Sequence, residues 1–506
     1  MRTRSPPPAG GRWPLLLLGP ALLGAAGPDL PTALGLSRAV VGALIVLLSL
    51  HGLHRLALLL RLARPAPARP LPPPISEADL PVITVQLPIY NERDVAGRLI
   101  DAAAALDWPA DRLELQVLDD STDDTRAAVD AAADRARAAG RRVQVLRRST
   151  RAGFKAGALA AALPSANGAL IAIFDADFVP APGDLRALCR PFADPGVGMV
   201  QARWGHLNAA ANLLTRAQEV LLDAHFLIEH AARAKAGHFF NFNGTAGLWR
   251  RAAIEQAGGW SAATLTEDLD LSYRAQLAGW RFVYLPELVI PAELPDEIDA
   301  FLGQQARWAA GTVQVAARLG PRLARAPLPL GLRAEGLAHL LAPLAWPLSA
   351  ALSLSLGPLA VARALSGAAA DGLDLLAFAL SAVTLGLFYG AAAVAGGGPR
   401  RLLRLPLVMA LGVGISLRQA AAVLGAGGPG ARVFARTPKS GGAGAAAGAG
   451  SYRAPARLRW PELALAVENI VCVVILGLHG RWASVPFLLL FAAGAALVAG
   501  LGARRR

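Results

Sequence analysis

The stretch Ala169-Leu-Ile-Ala-Ile-Phe-Asp-Ala-Asp177 decides the fold of this chain. The apolar run 169–174 predicts a buried strand, and Asp175 and Asp177 follow at its carboxyl end. Open α/β folds bind their ligands at this edge of the sheet. Carboxylate oxygens there suit Mg²⁺ or Mn²⁺ carrying a diphosphate, so Asp175 and Asp177 form a candidate metal site.

Upstream of this strand, strand and helix patterns alternate. The predicted strands cover 82–87, 113–118, 143–146 and 170–174, and the predicted helices between them cover 95–106, 125–138 and 156–163. Repeated βα units predict a mostly parallel, Rossmann-like sheet with ligand-binding side chains at the strand ends.

The composition predicts a membrane protein. The chain has 506 residues, of which 54% are hydrophobic, and this is too apolar for an ordinary soluble enzyme. Several apolar stretches approach the roughly 20 residues that span a bilayer. They cover 13–27, 39–60, 338–364, 373–395, 402–424, 463–478 and 483–501.

These patterns divide the chain into four parts. We predict N-terminal transmembrane helices at 1–65, a Pro-rich linker at 66–80, an α/β catalytic domain at 81–325, and C-terminal transmembrane or interfacial helices at 326–506. A Gly- and Ala-rich segment predicts a flexible loop within 427–460.

The net charge of +14 is interpreted as a topology signal. Much of the arginine flanks apolar stretches, so we expect no nucleic-acid partner. The positive-inside rule then predicts a multi-pass protein whose catalytic domain lies in the cytosol. For 13–27 a signal peptide is the alternative to a helix, because a small-residue cleavage site follows the arginine-rich start.

Two further features bear on the membrane region and on redox chemistry. Arg418 lies near the centre of 402–424, where a charge at mid-bilayer would cost about 2.5–3.5 kcal/mol or more, so we expect an interfacial or tilted helix there. The two cysteines, Cys189 and Cys472, predict neither a disulfide framework nor a metal site.

Lys155 is notable because the chain otherwise relies on arginine. It is one of only three lysines, with Lys235 and Lys439. A compact ammonium there suits a point charge on a nucleotide phosphate or base. The alternative is an ordinary lysine at the start of a helix.

Eight motifs follow one another between residues 82 and 317. They are Gln86-Leu-Pro-Ile-Tyr-Asn-Glu92, Gln116-Val-Leu-Asp-Asp-Ser-Thr-Asp123, Phe154-Lys-Ala-Gly-Ala-Leu159, Ile173-Phe-Asp-Ala-Asp-Phe178, Val200-Gln-Ala-Arg-Trp204, Phe242-Asn-Gly-Thr-Ala-Gly247, Thr266-Glu-Asp-Leu-Asp-Leu271 and Gln304-Gln-Ala-Arg-Trp308. This ordered set resembles the inverting glycosyltransferase family 2, which has a GT-A nucleotide-sugar domain. It is most similar to the membrane-bound cellulose-synthase-like branch, with its glucomannan 4-β-mannosyltransferases and β-glucan synthases.

A second, shorter resemblance lies outside the catalytic domain. The segment Val433-Phe-Ala-Arg-Thr-Pro-Lys439 is similar to a juxtamembrane segment of bacterial relatives. From it we expect that loop on the cytosolic side and the protein in a bacterial inner or plasma membrane.

The resemblance implies a role for each candidate residue. Asp268 matches the catalytic base that deprotonates the acceptor hydroxyl, and Asp175 and Asp177 match the ligands of Mg²⁺ or Mn²⁺. The implied nucleotide-sugar residues are Asp119, Asp120, Lys155, Glu92 and Arg307. The implied acceptor residues are Trp308, Gln304, Glu267 and Trp204.

Taken singly, several motifs also have structural interpretations. Thr266-Glu-Asp can be the acidic first turn of a helix with Thr266 as N-cap, and this is compatible with catalysis. Arg307 and Trp308 can be an anchor at the membrane interface. Arg203-Trp204 and Asn243-Gly-Thr245 suit either core packing or an acceptor site.

Two enzymatic functions stay open at this point. The first is a polysaccharide synthase that adds hexose from GDP-mannose or UDP-glucose to a growing β-linked glycan. The second transfers one sugar to a lipid such as diacylglycerol or ceramide. A membrane scaffold without activity is disfavoured, because Asp175, Asp177, Asp268 and Arg307 are all present.

Overall fold

The computed structural model describes residues 30–65, 72–367, 372–428 and 459–503. The predicted apolar stretch 13–27 lies outside these ranges, and so do most of the Pro-rich segment and most of the predicted loop 427–460.

The α/β domain is built on a seven-stranded mixed sheet with the order β3-β2-β1-β4-β6-β5-β7. Its strands are β1 Ile83–Ile89, β2 Leu113–Asp119, β3 Arg142–Leu146, β4 Leu170–Ile173, β5 Val197–His206, β6 Gly247–Arg250 and β7 Arg281–Ala292. Only β6 runs antiparallel to its neighbours, β4 and β5. The predicted α/β fold with a mostly parallel sheet is therefore confirmed.

Seventeen helices surround the sheet or form the apolar region in the described ranges. The helices that precede β7 are α1 Leu30–Ala63, α2 Arg93–Ala104, α3 Thr125–Ala138, α4 Phe154–Ala162, α5 Asp184–Cys189, α6 Leu213–Asp223, α7 Ala231–Lys235, α8 Arg251–Gln256 and α9 Glu267–Leu277. Those that follow are α10 Ile298–Arg325, α11 Leu330–Leu341, α12 Ala345–Leu365, α13 Gly372–Gly397, α14 Leu405–Gly414, α15 Ser416–Leu424, α16 Trp460–Leu478 and α17 Val485–Ala503.

The register of the sheet brings its carboxyl ends together. Ile89, the last residue of β1, pairs with Asp119 at the end of β2, and Gln86 pairs with Ile173 at the end of β4. Strands β1, β2 and β4 are almost wholly buried, which explains their largely apolar sequences. The loops after β1, β2 and β4 consequently meet at one edge.

Helix α6 continues into α7 through a π-helical segment, Ala224–His230. Such segments are rare and often occur at functional sites. The resulting long helical stretch, 213–235, lies between the catalytic domain and the apolar helices. It packs against α1, α13 and α14.

In the described ranges, six helical stretches are long and apolar enough to cross a membrane. They are Arg38–Ala63, Leu330–Leu365, Ala379–Gly397, Pro399–Leu424, Trp460–Leu478 and Val485–Gly502. Each corresponds to an apolar stretch predicted from the sequence, so a multi-pass membrane protein is supported.

The stretch around Arg418 is not one regular helix. A 3₁₀ turn, Pro399–Arg404, precedes α14, and α15 follows after a break at Ile415. The Arg418 guanidinium donates to the buried carboxylate of Glu462 on α16, with 2.7 Å between Nε and Oε1. This ion pair lowers the cost of a charge in apolar surroundings. The interfacial position expected for this stretch stays a prediction.

Helices α14 and α17 cross with their backbones in contact. A Cβ atom at Gly494 would overlap the Ala410 carbonyl oxygen and lie 3.0 Å from the Gly414 nitrogen. Small residues at such crossings allow the close approach on which packing between apolar helices depends.

We predict that Gly494→Ala lowers the melting temperature of the detergent-solubilised protein by several degrees, because overpacking costs about 1–3 kcal/mol. Gly500→Ala on the same helix is the matched control, since a Cβ there meets no atom within 4 Å. Equal melting temperatures for the two variants would contradict this close crossing.

Candidate active site

The Asp175–Asp177 turn is held by backbone contacts directly after β4. The Asp175 amide donates to Thr245 Oγ1 at 2.8 Å, and the Phe178 amide donates to the Asp175 carbonyl at 3.0 Å. Thr245 is fully buried. The turn therefore presents the Asp175 and Asp177 side chains at the carboxyl edge of the sheet, as predicted.

Lys155 lies at the start of α4 and faces this turn. Its ammonium contacts Asp175 Oδ1 and donates to the Gly244 carbonyl at 3.0 Å. Two left-handed residues, Gly153 (φ 72°) and Phe154 (φ 50°), turn the chain before it. Burial lowers the pKa of Lys155, but the nearby carboxylates, Asp175 foremost, leave that pKa above its usual value.

Glu267 and Asp268 form the first turn of α9. Burial, followed by the charge of Glu267, raises the pKa of Asp268 to about 7, although the Leu269 amide donates to Asp268 Oδ1 at 2.8 Å and opposes the shift. A carboxyl group with a pKa near neutrality is suited to accept a proton during turnover.

The predicted N-cap is only partly correct. Thr266 occupies the N-cap position of α9, but its side chain makes no capping hydrogen bond. Instead, it packs against Gly311 of α10, where a Cβ atom would lie 2.7 Å from Thr266 Oγ1. Gly311 thus lets α10 approach the turn that carries Glu267 and Asp268.

Helix α10 brings Gln304, Arg307 and Trp308 to the same cavity. Burial lowers the pKa of Arg307, while the charges of Glu267, Asp175 and Asp268 oppose the shift. Further along the same helix, Gln314 Oε1 accepts from the Leu265 amide at 2.8 Å. The helix is therefore fixed to the loop that precedes the proposed base.

Aromatic rings form one end of the cavity. The ring centroids of Trp204 and Trp308 lie 6.3 Å apart, and Trp204 also packs on Phe178 and Phe226 at 5.4 and 5.3 Å. Trp204 lines the cavity and also packs against the hydrophobic core, so its position agrees with both alternatives left open by the sequence. Asn243 and Gly244 line the cavity as well, whereas Arg203 donates to the Pro286 carbonyl.

The opposite end lies at the loops after β1 and β2. Tyr90, Glu92, Asp120 and Arg151 line it, and the Arg151 guanidinium stacks on the Tyr90 ring with its carbon 3.4 Å from the centroid. Asp120 pairs with Arg148, with 3.0 Å between Nε and Oδ1.

The expectation for Asp119 needs correction. Asp119 does not line the cavity, because its fully buried carboxylate accepts from the Arg147 guanidinium at 2.7 Å and from the Ser121 amide at 3.0 Å. These bonds give it a structural role. The predicted nucleoside contact stays with Asp120.

Sequence reasoning missed some of the cavity residues. Tyr90 stands inside the first of the eight motifs and Arg151 stands three residues before the Phe154 motif. Their position beside strand ends was the available signal. His206 had a weaker one: it follows Trp204 by two residues on β5, so both side chains point to the same face.

Apart from Asp119, all the site residues predicted from the sequence line one cavity of about 180 Å³. They are Glu92, Asp120, Lys155, Asp175, Asp177, Trp204, Glu267, Asp268, Gln304, Arg307 and Trp308. Seven carboxylates line it against three lysine and arginine side chains. An anionic diphosphate is compatible with such a cavity only when a cation accompanies it.

The donor set fits a divalent metal that shares its coordination with a substrate. Among the described residues, no group of three or more His, Cys, Asp and Glu side chains is arranged to hold a metal ion. Two carboxylates are nevertheless what Mg²⁺ uses when phosphate and water oxygens complete its shell. Asp175 and Asp177 meet that requirement.

Comparison with known proteins agrees with these features. Residues 81–311 match the family model described as Glycosyltransferase like family 2. Glucomannan 4-beta-mannosyltransferase 2 of Arabidopsis thaliana is 45% identical over 243 residues, which are 47% of this chain and 45% of that protein. Probable glucomannan 4-beta-mannosyltransferase 9 of Oryza sativa subsp. japonica is 45% identical over 242 residues, 47% of this chain and 46% of that protein.

The chain thus spans about half the length of the curated relatives it matches. A solved structure, mannosyltransferase PcManGT from Pyrobaculum calidifontis in complex with GDP-Man and Mn²⁺, shares the fold. The TM-score is 0.50 at 24% identity, over 73% of this chain and 98% of that one.

The mixed sheet, with an acidic cavity at its carboxyl edge, has the GT-A-like fold of that structure. Residues 81–311 match the family 2 glycosyltransferase model, and the chain is similar over nearly the same region to the two glucomannan 4-beta-mannosyltransferases named above. The resemblance drawn from the eight motifs is therefore confirmed. The two curated relatives are plant proteins, so they give no support to the expected bacterial membrane.

Gly244 provides a test of the crowding around Asp268. It has a left-handed backbone (φ 83°), and a Cβ atom there would lie 3.0 Å from Asp268 Oδ2 and 3.5 Å from Lys155 Nζ. We predict that Gly244→Ala reduces turnover of the nucleotide sugar at least about tenfold, because it displaces the two charged groups.

Gly237→Ala is the matched control for this substitution. It imposes the same kind of backbone strain (φ 68°) with no atom within 4 Å of the new Cβ. We expect Gly237→Ala to lose about as much stability as Gly244→Ala but to retain its turnover. Equal turnover in the two variants would refute a specific role for Gly244.

The coupling between Glu267 and Asp268 predicts a pH effect. The charge of Glu267 raises the pKa of Asp268, so Glu267→Gln lowers that pKa and extends the deprotonated form of Asp268 to lower pH. We predict that the acid limb of the kcat/KM profile, near pH 7 in the parent protein, moves to lower pH in the variant. An acid limb that does not move would contradict Asp268 as the titrating group.

Proposed function

We propose that the protein is a membrane-bound inverting hexosyltransferase that extends a β-linked polysaccharide, using GDP-mannose or UDP-glucose as donor. The observation that carries the proposal is the convergence of Asp268, the Asp175–Asp177 turn and the paired indoles in one cavity. The printed names of the curated relatives, glucomannan 4-beta-mannosyltransferases, support mannose as the hexose.

The donor occupies the end of the cavity near Tyr90 and Asp120. Asp175 and Asp177 would hold Mg²⁺ or Mn²⁺, which when bound neutralises the charge of the diphosphate leaving group. Lys155 and Arg307 add positive charge on the protein side. The stacked Arg151 and Tyr90 offer a flat surface for the nucleoside base.

Asp268 acts as the general base. It takes the proton of the acceptor hydroxyl, which attacks C1 of the hexose from the side opposite the diphosphate, so that an α-linked donor gives a β-linked product. A pKa near 7 keeps a useful fraction of Asp268 deprotonated at neutral pH while leaving it basic enough to accept the proton.

Trp204, Trp308 and Gln304 form the acceptor end. Indole faces stack on pyranose rings, and this favours a sugar acceptor over an acyl chain. The six candidate spans are proposed to hold this domain at the cytosolic face of the membrane, where nucleotide sugars are made.

The proposal is tested by incubating membranes that contain the protein with radiolabelled GDP-mannose or UDP-glucose. Insoluble polymer is then separated from lipid that an organic solvent extracts. We expect label in a polymer that a β-1,4-mannanase or a β-1,4-glucanase digests, and the enzyme that digests it identifies the donor. Label in diacylglycerol or ceramide instead would replace the proposal with glycolipid synthesis.

We predict that Asp268→Asn lowers the transfer rate about a hundredfold or more, because it removes only the base. The nucleotide dissociation constant, measured by calorimetry, should change little. Near-normal turnover in this variant would exclude Asp268 as the base.

We also predict that EDTA abolishes transfer and that Mn²⁺ or Mg²⁺ restores it. In the presence of nucleoside diphosphate, Mn²⁺ binding followed by electron paramagnetic resonance should be lost in Asp175→Asn and Asp177→Asn. The exposed Asp124, altered to Asn, is the control. Full activity in chelator, or unchanged Mn²⁺ binding, would exclude the metal site.

A further inference from the structure

A histidine at the acceptor end of the cavity has no part in the roles described so far. His206 lines the cavity with Trp204 and Leu222, and its side chain is only 8% exposed. Both His206 and Trp204 stand at the end of β5, two residues apart, so their side chains emerge on the same face about 7 Å from each other along the strand.

Each of these two side chains has a buried nitrogen without a hydrogen-bond partner. They are Trp204 Nε1 and His206 Nε2. Buried polar atoms in folded proteins are nearly always paired, and exceptions often mark the place of a ligand or an ordered water. Trp204 Nε1 is therefore the atom of this pair that points to an absent polar partner, because His206 Nε2 faces a buried carboxylate.

The surroundings of His206 fix how its ring is presented. Its Nε2 faces Asp223 Oδ1 at 3.7 Å, too far for a hydrogen bond, and Asp223 Oδ2 accepts from the Arg401 guanidinium at 2.9 Å. The same guanidinium donates to Glu219 at 2.7 Å. With Nε2 turned toward this buried cluster, the Nδ1 edge of the imidazole is the one that remains for a ligand in the cavity.

We propose that His206 is an acceptor-binding residue that hydrogen-bonds a hydroxyl group of a pyranose. It lies two residues along β5 from Trp204, which pairs with Trp308. This assignment rests on the proposed glycosyltransfer and specifies its acceptor as a hydroxyl-rich sugar. A pyranose has a ring face that stacks on an indole and hydroxyl groups that hydrogen-bond to an imidazole. An acyl chain would offer no hydrogen bond to Trp204 Nε1 or to the Nδ1 edge of His206, and polar atoms left unpaired in apolar surroundings are costly.

The arrangement also explains why Asp223 is buried between His206 and Arg401. Its charge is compensated by Arg401, so it can face the imidazole without an unpaired buried charge. Asp223 is accordingly a positioning residue for the ring, and His206 is the group that touches the acceptor.

The test measures acceptor use and donor use separately in the full-length protein. The probes are β-1,4-linked manno- or gluco-oligosaccharides as acceptors and the matching nucleotide sugar as donor. We expect His206→Ala to raise the acceptor KM by about threefold to tenfold, the equivalent of one hydrogen bond. The donor KM and the slow hydrolysis of donor by water should stay unchanged.

Two variants complete the test. His206→Asn places an amide nitrogen near the position of Nδ1 and should restore most of the acceptor affinity, which a packing role would not predict. His479→Ala, at an exposed histidine, should match the parent protein.

The possible outcomes separate this inference from the proposed function. If the parent protein transfers no sugar to any glycan, the proposed function fails. If transfer occurs and His206→Ala keeps the parent acceptor KM, the inference alone is overturned. A parallel loss of donor hydrolysis, or no rescue by His206→Asn, would also overturn it, because the histidine would then support the fold and not the acceptor.

Discussion

The crowding of carboxylates at one edge of the sheet is the constraint on which the rest of the structure depends. The loop after β4 and the start of α9 bring Asp175 close to Glu267 and Asp268. These like charges are tolerated in a buried cavity because Lys155 and Arg307 lie among them. The Lys155–Asp175 contact provides part of the positive charge that a metal would bring with a diphosphate. Burial, followed by the charge of Glu267, raises the pKa of Asp268, and this suits its proposed role as the base at neutral pH.

The apolar helices do more than anchor this cavity, because their polar side chains hold the elements that form its walls. Arg401, which precedes α14, pairs with Asp223 on the helical stretch 213–235. Arg55 of α1 donates to Glu229 in the π-helical segment of that stretch, at 2.5 Å. On the opposite side, Gln314 joins the loop before α9 to the Ala426 carbonyl at the end of α15, at 3.0 Å. The site is therefore assembled from both parts of the chain.

The sequence was sufficient for what depends on local pattern. Periodicity predicted the βα order, and carboxylates placed directly after a strand predicted the position of the Asp175–Asp177 turn. The role of Asp268 as base was implied by the motif resemblance. The sequence was insufficient where tertiary contacts decide. Asp119 and Asp120 are neighbours in one motif, yet only the fold shows that Arg147 buries the first while the second lines the cavity. The π-helix and the break at Ile415 carry no local signal. The proposed orientation of the His206 ring depends on Asp223, which lies on a different element of the fold.

A crystal of the protein grown with Mn²⁺ and a nucleoside diphosphate, measured at the manganese absorption edge, tests the central claim most directly. The account predicts one anomalous peak in contact with carboxylate oxygens of Asp175 and Asp177 and with the diphosphate, and the nucleoside between Tyr90 and Asp120. An anomalous peak away from these aspartates, or a diphosphate bound elsewhere with Lys155 and Asp175 still in contact, would contradict it.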